Sequence, residues 1–297
     1  MKVIAKYRNG NYNVTIFDDG TKIRENDLDF FEADRPESMD CKITNQCPFM
    51  CPQCHEKSTP DGKHGDIMNV KFIDNLQPGT EMAIGGGAVT SHPQLVPFLR
   101  KLKRLGVIPS ITVQQLEYQQ NVHVIEPLMV EKLIYGLGVS YKTKDDAFWD
   151  VVLNNPNVVV HLIAGYHSRD VFEYFANKNA KVLVLGYKNF GRGAELIKQI
   201  PMTIKEGIED LKYYLKYNKE KFKVLSFDNL AIEQLDVKKL LSDEQWQEFY
   251  QGDDGTHTMY VDLVKEQFAR TSTSKKRYSL TDDIVDMFNV IKNESVK

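Results

Sequence analysis

Asp40-Cys41-Lys42-Ile43-Thr44-Asn45-Gln46-Cys47-Pro48-Phe49-Met50-Cys51-Pro52-Gln53-Cys54-His55 is the stretch from which the rest of the chain can be read. Residues 40–44 read as a strand, and just beyond its C-terminal end come three cysteines spaced C-x3-C-x2-C. Three of the four cysteines of the chain fall within these eight residues, and none follows Cys54. The opening Met1-Lys2-Val3-Ile4-Ala5-Lys6 has no apolar core followed by a small-residue cleavage site, so it does not read as a signal peptide. The expected compartment is the reducing cytoplasm. There, clustered thiols point to metal binding or catalysis rather than to disulfides.

Working outward, strand and helix patterns alternate. Strands are expected at residues 40–44, 81–85, 109–114, 133–140, 157–164 and 180–186, with amphipathic segments at 94–105, 126–132, 145–153 and 169–178. Val158-Val159-Val160 and Val182-Leu183-Val184-Leu185 are nearly continuous apolar runs, as in parallel strands buried on both faces. Six strand–helix units argue for a parallel α/β architecture, open or barrel-like, over residues 38–200. Residues 1–37 read as a small β-meander with turns at Asn9-Gly10 and Asp19-Gly20. Residues 201–297 read as a C-terminal α+β extension packed on the main sheet: a helix at 204–217, a strand at 223–227, a helix at 243–250, a hairpin from 256–261 and 267–271, and a last helix at 281–292.

The 297 residues carry 38 Lys and Arg against 41 Asp and Glu, a net charge of −3, with 42% apolar and 27% charged residues. That is a globular composition, and the near-neutral balance excludes a polycation that binds nucleic acid by bulk charge. A chain of this size buries about 75% of its unfolded surface without disulfide staples. No run of 18 apolar residues predicts a membrane span. Neither a membrane nor a nucleic acid is an expected partner.

Thiolates suit iron–sulfur clusters, zinc and Cu(I). A closed zinc site needs a fourth ligand, from Cys41, His55 or His64. An ordinary [4Fe–4S] site takes four cysteines, so three on one loop suggest a cluster with one iron left open. The C-x3-C-x2-C loop after the first strand of such a fold resembles the signature of the radical S-adenosylmethionine (radical SAM) enzymes. That resemblance implies a partial (β/α)6 TIM-like barrel and a [4Fe–4S] cluster on Cys47, Cys51 and Cys54. It further implies SAM on the open iron, cleaved by one electron to a 5′-deoxyadenosyl radical.

Other segments continue the resemblance. Ile84-Gly85-Gly86-Gly87-Ala88-Val89-Thr90-Ser91-His92-Pro93 is similar to the family's GGE motif and its following His-Pro, with Ala88 in the place of the glutamate. Glycines at a strand end let a backbone approach a ligand closely, and Gly85, Gly86 and Gly87 are implied as SAM contacts. His161-Leu162-Ile163-Ala164-Gly165 is similar to G-x-I-x-G and implies Ile163 against the adenine and Gly165 at the turn. Ser140 falls where the family commonly binds the SAM carboxylate. Leu185, in Val184-Leu185-Gly186-Tyr187, falls on a backbone edge for the adenine.

No catalytic side chain is assigned. Tyr187-Lys188-Asn189-Phe190-Gly191-Arg192-Gly193 reads as an anion-binding turn open to substrate. Asp228-Asn229 and Gly252-Asp253-Asp254-Gly255 read as lid or substrate contacts. The expected substrate is a small molecule or a nucleotide-like compound or, alternatively, a peptide. An external flavodoxin-like or ferredoxin-like one-electron donor is implied. A non-catalytic zinc or iron–sulfur module is the rival reading.

Overall fold

The computed structural model describes residues 1–28 and 30–294; Asp29 and the last three residues of the C-terminal extension lie outside the described residues. In chain order the strands are β1 (Val3–Asn9), β2 (Tyr12–Phe17), β3 (Lys22–Glu25), β4 (Ser38–Thr44), β5 (Glu81–Gly86), β6 (Ile108–Gln114), β7 (Gly136–Ser140), β8 (Val158–Ile163), β9 (Lys181–Leu185), β10 (Val224–Phe227), β11 (Thr258–Asp262), β12 (Gln267–Ala269) and β13 (Tyr278–Ser279). The chain divides into two compact units. One comprises Met1–Pro48, Ser58–Leu137 and Gly252–Lys297, the other Phe49–Lys57 and Gly138–Gln251.

In the first unit the strand order is β6-β5-β4-β11-β12-β13, with β6, β5, β4 and β11 parallel and the last two antiparallel. A separate antiparallel meander β1-β2-β3 accompanies it. Successive side chains on a strand face opposite ways, and here the two faces differ in kind. Met39, Cys41 and Ile43 of β4 and Met82 and Ile84 of β5 are buried, as are Ile111 and Val113 of β6. With Phe98, Leu99 and Leu102 of the amphipathic helix Leu95–Arg104, they belong to the apolar core. The opposite face carries Asp40, Lys42 and Thr44, then Ala83 and Gly85, then Ser110, Thr112 and Gln114.

In the second unit the order is β10-β9-β8-β7, and β8, β9 and β10 are parallel. The valine runs form parallel strands, but only one face of each is sealed: Val158, Val160, Val182 and Val184 are buried, whereas Val159, Leu183 and Leu185 are only partly so. The architecture is mixed α/β with a large parallel sheet, and no sheet closes on itself among the described residues. No described helix is long and apolar enough to cross a membrane.

The region after residue 200 departs from a simple extension laid on the sheet. Strand β11 enters the sheet itself, parallel to β4 with Val261 opposite Cys41 and Asp262 opposite Lys42. It belongs there because Met259 and Val261 continue the apolar face, while Asp262 meets Lys42 on the polar one. Asp228-Asn229 is no open contact either. Asp228 caps the helix Asn229–Leu235, its Oδ1 accepting from the amides of Ala231 (2.7 Å) and Gly186 (2.8 Å). At the Gly252–Gly255 turn, Arg270 donates to the Asp254 carbonyl at 2.7 Å and to the carbonyls of Ile291 and Glu294, each at 2.8 Å.

A buried carboxylate ties the meander to this unit. Glu37 is fully buried; its Oε1 and Oε2 accept from Arg24 Nε (2.8 Å) and Nη2 (2.9 Å), and the Tyr12 hydroxyl donates to Oε1. Lys22 lies 3.2 Å from the same carboxylate, and His257 Nδ1 is 3.0 Å from the Tyr12 oxygen. Burial pushes the Glu37 carboxyl up, but Arg24, Lys22 and the Tyr12 hydroxyl outweigh it and hold it down at about 2. Burial, with Arg24, pushes His257 down to about 4.

Both groups bind protons less readily folded than unfolded, so the stability they carry is complete above about pH 6.5 and is lost as pH falls. His257 contributes first to that loss, and Glu37 follows below pH 4.5 towards about 2. Glu37→Gln removes the charge that balances buried Arg24 and should cost ~3 kcal/mol at pH 7. Urea unfolding across this pH range should show a flatter acid decline in the variant. Equal acid sensitivity in the two proteins would show that the network carries no charge-dependent stability.

Candidate functional site

The candidate residues fall into two sets, one in each unit. In the first, the segment after β4 is held by backbone pairing: Asn45 N donates to Lys63 O (2.8 Å), Cys47 N to Thr59 O (2.8 Å) and Thr59 N to Asn45 O (3.1 Å). Thr44 Oγ1 lies 2.8 Å from His64 Nδ1 and accepts from Gln46 N at 3.0 Å. The glycine loop after β5 closes on this segment, with Gly87 N donating to Thr44 O and Ala88 N to Gln46 O, both at 2.8 Å. His92 is committed to structure: its Nδ1 accepts from Gln94 N (3.1 Å), so its Nε2 donates to Gly65 O (3.0 Å).

The three glycines are not equivalent. Gly86 has φ +119, and a Cβ there would sit 2.4 Å from Thr44 O; at Gly87 a Cβ would sit 2.2 Å from Gln46 O. Those two are required by the backbone approach itself. Gly85 is different, because a Cβ there meets nothing within 4 Å. It faces open space on the polar side of the sheet, room that a ligand can use.

Ala88 is buried and supplies no carboxylate. The nearby buried acid Glu117 is already engaged: Oε1 accepts from Thr90 N (3.0 Å) and Thr90 Oγ1 (2.9 Å), Oε2 from Gln114 N (3.4 Å). Burial pushes this carboxyl up to about 7 against those hydrogen bonds. It anchors the glycine loop to the end of β6. On the polar face of β4, Lys42 Nζ lies 3.3 Å from Asp262 Oδ2, and Asp262 Oδ1 accepts from the amides of Val264 and Lys265, each at 3.0 Å. Arg277 stacks over the Tyr260 ring, 5.0 Å from its centroid.

In the second unit, Cys51 and Cys54 lie on a turn in which Cys54 N donates to Cys51 O at 3.2 Å. Burial, together with Cys51, pushes the Tyr166 hydroxyl up from its ordinary value. Ser140 ends β7, half-buried. Ile163 N donates to His167 Nδ1 (2.8 Å), and the Leu185 carbonyl accepts from Ala164 N (2.9 Å). Gly165 has φ +72, and a Cβ there would meet Ile204 O at 2.5 Å, so it admits the helix Pro201–Asn218. After β9 the backbone edge is partly used: Tyr187 N donates to Gln234 Oε1 (2.8 Å) and Tyr187 O accepts from Gln234 Nε2 (3.0 Å). His161, the departure from G-x-I-x-G, is pushed down to about 4 by burial and by Lys188, so its imidazole is neutral at pH 7.

Cys47, Cys51 and Cys54 are half-buried, whereas Cys41 is sealed in β4, where burial pushes its thiol up to about 12. In donor chemistry the trio fits a thiophilic metal or cluster, and Cys41 does not join it. Among the described residues no three His, Cys, Asp or Glu side chains are drawn together as a ready-made metal group.

Sequence reading missed Lys42–Asp262 and Glu117. The alternation of Asp40, Lys42 and Thr44 did signal a polar strand face; their partners lie too far along the chain to be read locally.

No family model matches the chain, and no curated protein sequence matches it. Among solved structures it is similar to Streptococcus suis SuiB. Against SuiB bound to precursor peptide SuiA the TM-score is 0.56 at 12% identity, covering 86% of this chain and 65% of that one. Against SuiB bound to S-adenosylmethionine it is 0.53 at 13% identity, covering 89% and 67%. The likeness is one of fold: the chain shares the fold of SuiB over most of its length. It spans about two thirds of the length of SuiB.

Gly86→Ala should cost ~2 kcal/mol through strain and collision with Thr44. Gly85→Ala should be neutral or slightly stabilising, within ~1 kcal/mol. Thermal unfolding of the two variants checks the contrast; equal losses would mean that Gly85 is as crowded as its neighbour.

Proposed function

We propose that the protein is a radical SAM enzyme with one [4Fe–4S] cluster on Cys47, Cys51 and Cys54. The observation that carries this is the C-x3-C-x2-C loop at the C-terminal end of a parallel strand, in a chain with the fold of SuiB. Bound there, the cluster and SAM would supply reductive cleavage to a 5′-deoxyadenosyl radical that removes a hydrogen atom from substrate.

The protein's part is to hold and to shield. In this reading Gly85–Gly87, Ser140, Ile163, Gly165 and Leu185 bind SAM around a partial barrel. Gly85 supplies the space, and with no acid at position 88 the ammonium is met by glycine carbonyls. Lys42, Asp262 and Tyr260 line a polar wall towards substrate. The solved complex of SuiB with a precursor peptide favours a peptide substrate over the small molecule first expected. An external flavodoxin-like or ferredoxin-like donor and a reducing cytoplasm complete the proposal.

Anaerobic reconstitution with iron and sulfide, then SAM and dithionite, should release 5′-deoxyadenosine. Alanine at Cys47, Cys51 or Cys54 should each abolish the absorption near ~400 nm and the release, while Cys41→Ala keeps both. Stoichiometric zinc with no iron uptake would establish the zinc module instead.

Gly85→Val should retain iron and fold while weakening SAM binding by about thirtyfold, or ~2 kcal/mol. Calorimetry on the reconstituted variant reads this directly. Unchanged affinity would move SAM away from the glycine loop.

A further inference from the structure

The stretch 187–193 reads in sequence as an anion-binding turn open to substrate, but in the structure it grips the cysteine loop. The Nε of Arg192 donates to the Cys51 carbonyl at 2.9 Å, and its backbone N donates to the Cys54 carbonyl at 2.9 Å. One residue therefore holds both carbonyls of a turn that the Cys54–Cys51 hydrogen bond already closes. The fit is tight on the glycine side as well. Gly191 has φ +56, and a Cβ there would sit 2.3 Å from His55 O and 2.7 Å from Cys54 O. At Gly193 a Cβ would sit 2.5 Å from Lys188 O and 3.3 Å from Gln53 O.

The helix Gly191–Gln199 takes its cap from this contact. Its N-cap residue Phe190 makes no side-chain cap bond, and the Cys54 carbonyl receives an amide of the first turn instead. Lys57 and Glu195 add an exposed ion pair at 2.7 Å along the same contact. Arg is suited to such a place: its guanidinium stays charged and presents its donors in a fixed plane.

We propose that Arg192 is the positioning residue of the cysteine loop, seating Cys51 and Cys54 and fixing a positive charge beside the backbone that carries them. This rests on the reading of that loop as the cluster ligand set. Hydrogen bonding and charge around ligand sulfurs set a cluster's potential. A cation held there favours the form carrying one more electron, so the cluster is easier to reduce with Arg192 present. A group that only packed the helix would have no such effect.

The test uses the full chain, reconstituted anaerobically, as wild type, Arg192→Gln, Arg192→Lys and Lys198→Gln. The last removes an exposed charge from the same helix away from the loop. Potentiometric titration followed by electron paramagnetic resonance reads the midpoint, and transfer of iron to a ferrous chelator reads retention. For Arg192→Gln, the reduced-to-oxidised ratio at the wild-type midpoint should fall about tenfold, a shift of about 59 mV for one electron. Its iron should leave at least about fivefold faster. Arg192→Lys should keep the potential within a twofold change in that ratio yet lose iron faster, and Lys198→Gln should match wild type.

Wild-type potential and iron retention in Arg192→Gln overturn the proposal, as does an equal shift in Lys198→Gln. If thermal unfolding shows Arg192→Gln to be unfolded, iron retention in Arg192→Lys decides, and a wild-type rate overturns it. A wild-type protein that takes up no iron and sulfide overturns instead the reading of the loop on which the inference rests.

Discussion

Strand β4 has a parallel neighbour on each side, β5 and β11, and the placement of the first cysteine follows from that. A strand paired along both edges has its amides and carbonyls spoken for, so it cannot slide without breaking two ladders. A slip of one residue would also exchange its faces. Cys41 and Ile43 would leave the apolar layer, and Lys42 would enter it. The Lys42–Asp262 pair opposes such a slip, because a buried ammonium parted from its carboxylate is costly. The segment beginning at Asn45 therefore starts from a fixed point, and its hydrogen bonds to Thr59 and Lys63 carry that fixity to Cys47.

Much of this could be read in the sequence because it is local. Strand β8 was visible as a valine run, and the helix Leu95–Arg104 by its amphipathic spacing. The cysteine spacing was a property of the loop alone. What was not visible depended on partners far along the chain. Nothing near Thr258 announces that it will lie beside Ser38. The helix Gly191–Gln199 was hidden for a related reason: it opens with two glycines, poor helix formers, and its cap belongs to Cys54. Arg192 accordingly looked like a ligand contact, and the structure shows its Nε and backbone N committed to the carbonyls of Cys51 and Cys54. The three glycines show the same limit. As letters they are identical; only the positions of Thr44 and Gln46 reveal that two are required by packing and one is left facing space.

The departures from the resembled motifs also gain physical content. The acid missing at position 88 is not supplied by Glu117, whose oxygens are occupied by Thr90 and Gln114. His161, in the place of a glycine, is a neutral imidazole at pH 7 rather than a cation, because burial and Lys188 both oppose its charge. The first change removes a formal charge and the second adds none.

The first unit is built from three separated pieces of chain, and its last piece supplies β11. During synthesis from the N-terminus, β4 can pair with β5 early, but its other edge stays open until Thr258 has left the ribosome. An open edge of a hydrophobic strand invites pairing with other chains. Residues Gly138–Gln251 emerge within that interval. Chains interrupted before β11 would present an unpaired β4 edge and a Glu37 without His257, a state open to aggregation.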